Sequence, residues 1–200
     1  MNKGVDLIIA GVGGQGNVKA GQILGLAGLK AGFKVRVSDV FGISQRGGAV
    51  VSHVRIGNYV HGPLVMEHGA DVIVGLEPME AMRAALSFAR PKCLTLVNTR
   101  ALHPIEVNMG IYRYPDVCDI LSILKSFSEV IALDFSEIAE KACLPIATNI
   151  AMLGGLAATG VLPFSKEVLK RAVEEGVPKA IEQNLKAFDL GYAAVNELLR

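Results

Sequence analysis

The stretch that most constrains this chain is Gly11-Val12-Gly13-Gly14-Gln15-Gly16, which follows directly on the mostly apolar run Val5-Asp6-Leu7-Ile8-Ile9-Ala10. A buried strand that breaks into glycines and opens a helix is how an α/β domain turns backbone N–H groups toward an anion. Glycine permits the tight turn and lets backbone approach a ligand or another chain closely. A second loop, Ser44-Gln45-Arg46-Gly47-Gly48, lies just past the second predicted strand. In a doubly wound sheet both loops emerge at the carboxyl ends of their strands, the edge where such folds bind ligands.

Strands and helices alternate around these loops. Strand one covers 5–10, and the first helix covers 15–31, closed by Gly32. The second strand covers 35–37, followed by a loop over 39–48. Val50, Ser52, Val54 and Ile56 then alternate with Val51, His53 and Arg55, a period of two that marks a strand with one more polar face. Gly57-Asn58 reads as a turn, after which 59–61 returns as a short hairpin arm. Parallel-type strands resume at 72–76 and 94–98 around a helix over 78–88, where Pro78 suits a first turn. Short strands are expected at 111–114 and 130–133, flanking a helix over 116–125. From Phe135 the pattern is helical, in pieces separated by Pro145, Pro163 and Gly176-Val177-Pro178, with Ser165 as an N-cap. The fold expected is a single α/β domain over 1–200: a three-layer, doubly wound, mostly parallel sheet with a β-hairpin and a helical C-terminal third.

Composition narrows the function. Hydrophobic residues make up 51% of the chain and charged residues only 20%, so the sheet is expected to be covered on both faces and some surface reserved for a partner. A net charge of +1 offers no case for nucleic acid, which requires concentrated basic surface. Cys93, Cys118 and Cys143 have neither metal nor iron–sulfur spacing and are expected as buried, reduced thiols of a cytoplasmic protein. No basic segment precedes an apolar one at the N-terminus, so no secretory signal is expected. The apolar stretch over 146–162 is short for a membrane span and polar inside, and reads as a buried or interfacial helix.

Several readings of the loops stay open. Over the first, a pyrophosphate of NAD sits at the helix N-terminus and Asp39 bonds a ribose hydroxyl; alternatively the glycines serve close approach to a partner or its cofactor, or only packing. Arg46 beside Gly47-Gly48 suits an anion, a carboxylate on a partner chain, or solvent. His53, His61, His68 and His103 lack metal-ligand spacing, and His53 is expected on the polar face of its strand. Asp71, Glu77 and Glu80 lie near strand ends without an evident pairing, and no nucleophile elbow or H-E-x-x-H is present. The chain looks equipped to shape a site without carrying bond-breaking groups.

The first glycine loop, Gly11 to Gly16, resembles that of the gamma subunit, or equivalent fused domain, of the 2-oxoacid:ferredoxin oxidoreductases. The segment from Phe41 through Ser44-Gln45-Arg46-Gly47-Gly48 to Gly57 is most similar to the small subunit of the indolepyruvate branch, as are Asn149-Ile150-Ala151-Met152-Leu153-Gly154-Gly155 and the segment from Asn184 to Gly191. Gln45, where gamma subunits of some other branches tend to have an acidic residue before the arginine, favours that branch without fixing the substrate.

The resemblance implies CoA-dependent oxidative decarboxylation of an aryl 2-oxoacid such as indolepyruvate. Thiamin diphosphate and [4Fe–4S] clusters would sit on a large partner subunit, with ferredoxin as acceptor and coenzyme A as co-substrate. It implies cofactor contacts from Gly11, Gly13, Gly14, Gln15, Gly16, Ser44, Gln45, Arg46, Gly47, Gly48 and Asn149, and no catalytic or metal-binding residue in this chain. No nucleic acid or membrane is expected as partner, the isolated chain could form a homodimer, and it would be inactive alone. The alternative from the residues themselves is a free-standing NAD(P)-binding Rossmann-type oxidoreductase, and a third reading is a pure scaffold.

Overall fold

The computed structural model describes residues 4–42 and 47–200. Six strands form one sheet: β1 (Val5–Val12), β2 (Lys34–Phe41), β3 (Ala49–Gly57), β4 (Ala70–Gly75), β5 (Ala89–Asn98) and β6 (Ser128–Leu133). Their order is β2-β3-β1-β4-β5-β6. Only β3 runs against the rest, antiparallel to both β2 and β1, whereas β1, β4, β5 and β6 pair in parallel. Loops after β1, β2, β4, β5 and β6 therefore share one edge.

Alternation along the strands divides the core. Leu7, Ile9, Val72, Val74 and Leu96 face α1 (Asn17–Lys30), α5 (Phe135–Lys141), α6 (Thr148–Ala158), α7 (Lys166–Gly176) and α8 (Ile181–Leu198). Ile8, Ala10, Ile73 and Val97 face α2 (Pro78–Phe88) and α4 (Val117–Phe127). The expected three-layer α/β architecture with a helical C-terminal third holds. Burial on both faces accounts for the high apolar content.

The helical third is drawn together at α6 and α8. A Cβ placed on Gly154 would lie 1.9 Å from the Phe188 carbonyl oxygen, and one on Gly191 would lie 1.9 Å from that of Ala151. The two helices thus touch backbone to backbone, and α6 is the buried helix expected within 146–162. Among the described residues no helix is long and apolar enough to cross a membrane.

Several local expectations are corrected. The hairpin is β2–β3, and 59–61 forms no strand, because β3 already has β2 on one side and β1 on the other. Residues 111–114 form no strand either, since β5 is flanked by β4 and β6. A four-residue helix, α3 (Ile105–Asn108), precedes that segment. Strand β2 continues through Asp39 to Phe41, so the loop begins at Gly42. Helix α1 starts at Asn17, after a left-handed Gly16. Ser165 does precede α7, but its hydroxyl makes no capping bond.

His53 does not sit on an exposed polar face. It is buried against the edge of Phe88, and its Nδ1 accepts the Val65 N–H at 3.2 Å, because segment 58–69 folds back over this face. Of the cysteines, only Cys93 is buried; Cys118 and Cys143 are exposed, being on the outer side of α4 and just past α5.

Candidate functional site

The two glycine loops meet. Gly13 donates its N–H to the Gly48 carbonyl at 2.9 Å, and Asn17 Nδ2 donates to the Val50 carbonyl at 3.0 Å. A bond from Gly42 N–H to the Ala49 carbonyl, also 2.9 Å, closes the base of the β2–β3 loop. A cleft of about 750 Å3 opens between the loops, walled by Gly13, Gly14, Gly16, Asn17, Lys19, Phe41, Gly47 and Gly48.

The chemistry of this cleft follows from backbone. Gly14 and Gly16 hold φ of +101° and +87°, conformations that favour glycine. No side chain caps α1 from Gly16, so the first-turn N–H groups of the helix have no intrahelical or capping partner among the described residues, and they border the cleft. Lys19 adds a cation at the rim, its Nζ on the Gly176 carbonyl at 3.3 Å. Donors, a helix N-terminus and a lysine together suit an anionic group such as a phosphate.

Gly11, Gln15 and Asn149 build the loop without lining the cleft. Gln15 Oε1 accepts the Val12 N–H at 2.7 Å while its Nε2 donates to the Leu76 carbonyl at 3.1 Å, fastening the loop across to the end of β4. Gly11 lies beneath, where a Cβ would come within 2.8 Å of Gln15 Oε1. Buried Asn149, at the start of α6, donates from Nδ2 to the Gly16 carbonyl at 3.1 Å and accepts its neighbour Ile150 N–H on Oδ1. Ser44, Gln45 and Arg46 lie outside the described residues.

Asp39 is not placed as the nucleotide reading requires. Strand β3 separates β2 from β1, which puts Asp39 two strand spacings, about 9.5 Å, from the first glycine strand. Its carboxylate accepts the hydroxyl of Ser52 on β3. The free-standing Rossmann-type alternative is not favoured.

Behind the loops, sequence reading missed Asn98 and Tyr114 and noted Glu77 and Glu80 without finding their partners. Asn98, at the end of β5, is 1% exposed and bonds Leu76, Phe135 and Ser136. Glu77, also 1% exposed, caps α2 by accepting the Glu80 N–H at 3.0 Å and accepts the Tyr114 hydroxyl. Burial, then that bond to Glu77, pushes Tyr114 well above the usual phenol range, and burial raises Glu80 despite its partner Arg83. Their only signal was a polar residue ending an apolar strand. Asp71 instead pairs with Arg90 near the opposite edge, beside Asp6, whose N–H it accepts at 2.7 Å. Among the described residues no group of three His, Cys, Asp or Glu could hold a metal ion.

Sheet and cleft together define an α/β domain with a pair of glycine loops, rich in backbone donors, at one sheet edge. Comparison makes that class specific: the chain belongs to the pyruvate ferredoxin/flavodoxin oxidoreductase family, whose model matches residues 6–194. It is similar to the indolepyruvate oxidoreductase subunit IorB of Pyrococcus horikoshii, with 41% identity over 200 residues covering 98% of each chain. Subunit IorB of Thermococcus kodakarensis is 38% identical, again over 98% of both chains. Among solved structures, the keto/oxoacid ferredoxin oxidoreductase gamma subunit of Geobacter sulfurreducens superposes with a TM-score of 0.70 at 25% identity, covering 96% of this chain and 98% of that one. The family resemblance carried by the glycine loops and the C-terminal motifs is thereby borne out, and the chain's relatives are subunits of 2-oxoacid oxidoreductases.

Proposed function

We propose that this chain is the small subunit of a CoA-dependent indolepyruvate:ferredoxin oxidoreductase, acting as one gamma-type domain over residues 1–200 of a cytoplasmic heteromer. The observation that carries the reading is the Gly13–Gly48 bond, which joins the two loops around an anion-suited cleft in a chain whose relatives are oxidoreductase subunits. The exposed apolar side chains of Phe41, Ile105, Met109, Tyr112 and Ile146 lie on segments at or near the same sheet edge and suit a permanent subunit contact.

The donor set fits a phosphate-bearing group, whether thiamin diphosphate or coenzyme A, and offers nothing suited to an iron–sulfur cluster among the described residues. Thiamin diphosphate, held mainly by a large partner with [4Fe–4S] clusters, would supply the carbanion chemistry of decarboxylation. This chain's part is placement. Backbone N–H groups of Gly14 and the first turn of α1 hold the anion, the Gly13–Gly48 bond ties the two loops together beside it, Lys19 adds charge, and the β2–β3 loop covers the site from the other side. Ser44, Gln45 and Arg46 belong to that loop, and Arg46 is assigned an anion contact.

The test is anaerobic co-purification of the tagged chain from its host. A large partner bearing iron–sulfur absorbance and thiamin diphosphate, with indolepyruvate-dependent ferredoxin reduction, supports the reading. In that complex Arg46→Ala leaves assembly intact and abolishes most turnover. A chain that elutes alone and colourless under conditions preserving known complexes overturns it. The isolated chain is expected to be inactive.

A further inference from the structure

The glycine loop is held from two directions, and both lead to one side chain. On one side, Gln15 bridges the Val12 N–H to the Leu76 carbonyl, and that carbonyl also accepts Asn98 Nδ2 at 3.2 Å. On the other, Asn149 holds the Gly16 carbonyl, and its neighbour Thr148, whose hydroxyl donates to the Pro145 carbonyl at 3.1 Å, brings its Oγ1 within 3.4 Å of Ser136 Oγ, where it can accept the serine hydroxyl. Ser136 Oγ accepts Asn98 Nδ2 at 3.1 Å, which closes the circuit. Asn98 Oδ1 meanwhile accepts the Phe135 N–H at 3.0 Å and the Ser136 N–H at 3.4 Å, so it also caps the start of α5.

Gly13 is held by its bond to the Gly48 carbonyl, but Gly14, at the crown of the loop, has no side chain by which its N–H can be aimed. Its direction is set by what flanks the turn, Val12 on one side and Gly16 on the other, and these are the two positions where the circuit ends. We propose that Asn98 is a positioning residue for the glycine loop of the oxidoreductase complex, acting through Leu76 and Gln15 on one arm and through Ser136 and Thr148 on the other. This rests on the function proposed above, in which the loop binds an anionic group of the reaction.

Asn98→Asp separates positioning from mere support. The carboxylate keeps the acceptor that caps α5 but has no N–H to give to Leu76 or Ser136. Two readouts are taken on the assembled complex: backbone hydrogen exchange, and steady-state rates with indolepyruvate, coenzyme A and a viologen acceptor. In Asn98→Asp, exchange in peptide 11–20 is expected to quicken at least tenfold while peptide 134–141 is unchanged. The KM for indolepyruvate or coenzyme A rises at least fivefold, with a smaller fall in kcat. Gln15→Glu, which keeps its acceptor and loses its donor, gives a similar change, and the double variant is little worse than either.

Unchanged loop exchange overturns the proposal, as do unchanged KM values in an active complex or fully additive losses in the double variant. If Asn98→Asp does not assemble, Thr148→Val, which cuts the other arm at a half-buried position, must quicken loop exchange at least threefold, and failure to do so overturns it. A wild-type complex inactive on indolepyruvate overturns the function instead, and the exchange readout alone then decides the role of Asn98.

Discussion

Asn149 donates its side-chain amide to the Gly16 carbonyl at 3.1 Å, across 133 residues of chain. The bond pins the turn that opens α1 to the helix that opens the C-terminal third. The fit leaves no room for a methyl group, since a Cβ on Gly16 would lie 2.4 Å from Asn149 Nδ2, at a φ of +87°. Gly16→Ala should therefore cost about 2–3 kcal/mol from left-handed strain and overpacking. Asn149→Ala orphans a carbonyl and should cost about 1–3 kcal/mol. Because removing Asn149 also clears the clash, the double variant should lose less than the sum, as a double-mutant cycle by denaturant unfolding would show.

The crossing of α6 and α8 should be less forgiving. Gly154→Ala and Gly191→Ala each drive a methyl group into backbone, which cannot rotate away as a side chain can. Each is expected to cost at least about 3 kcal/mol, read from the denaturant midpoint at constant m-value.

His53 gives the stability a pH dependence of known sign. Burial lowers it below its ordinary 6.5, and the Asp39 carboxylate only partly restores it. The unfolded chain therefore takes up the proton first. The stabilisation is full above pH 6.5 and declines as pH falls from there toward the folded value, at up to about 1.4 kcal/mol per pH unit. Below that window Nδ1 would carry a proton facing the Val65 N–H. His53→Gln keeps an acceptor without titrating, so the difference between its pH–stability curve and that of the wild type should flatten above pH 6.5 and grow below it.

Thiol reactivity should divide the cysteines. Burial first, and Asp71 second, push Cys93 up to about 12, whereas Cys118 and Cys143 are exposed. Iodoacetamide should add to two thiols in the native chain and to the third only on denaturation, as intact mass would report.

What was legible in the sequence was whatever depends on local pattern. Val5–Val12 declared itself by apolar content, α2 by Pro78, and the meeting of the two loops by glycines after successive strands. Strand pairing is not local, so the order of β2, β3 and β1 was hidden. A clue existed in length, since β2 and β3 are too close in sequence for a parallel crossover and must pair antiparallel. With β3 then placed between β2 and β1, the supposed hairpin arm at 59–61 lost its edge and Asp39 lost its nucleotide. His53 looked like surface because its cover, the 58–69 segment, comes from a stretch without periodicity. Asn98 and Glu77 were harder still: one polar residue at a strand end carries no sign of which carbonyl or hydroxyl it will meet.

The contact between α6 and α8 bears on what the chain's own signature reports. Gly154, Gly155 and Gly191 belong to the segments that mark this sequence as a family member, yet none lines the cleft. Gly154 and Gly191 are there because two peptide backbones pass within touching distance, and Gly155 because the Phe135 ring and Val195 fill the space beside it. A signature of that kind identifies the chassis and is indifferent to the cargo. Under the function proposed above, preference for one 2-oxoacid over another would therefore be sought not in these glycines but in side chains around the two loops at the cleft.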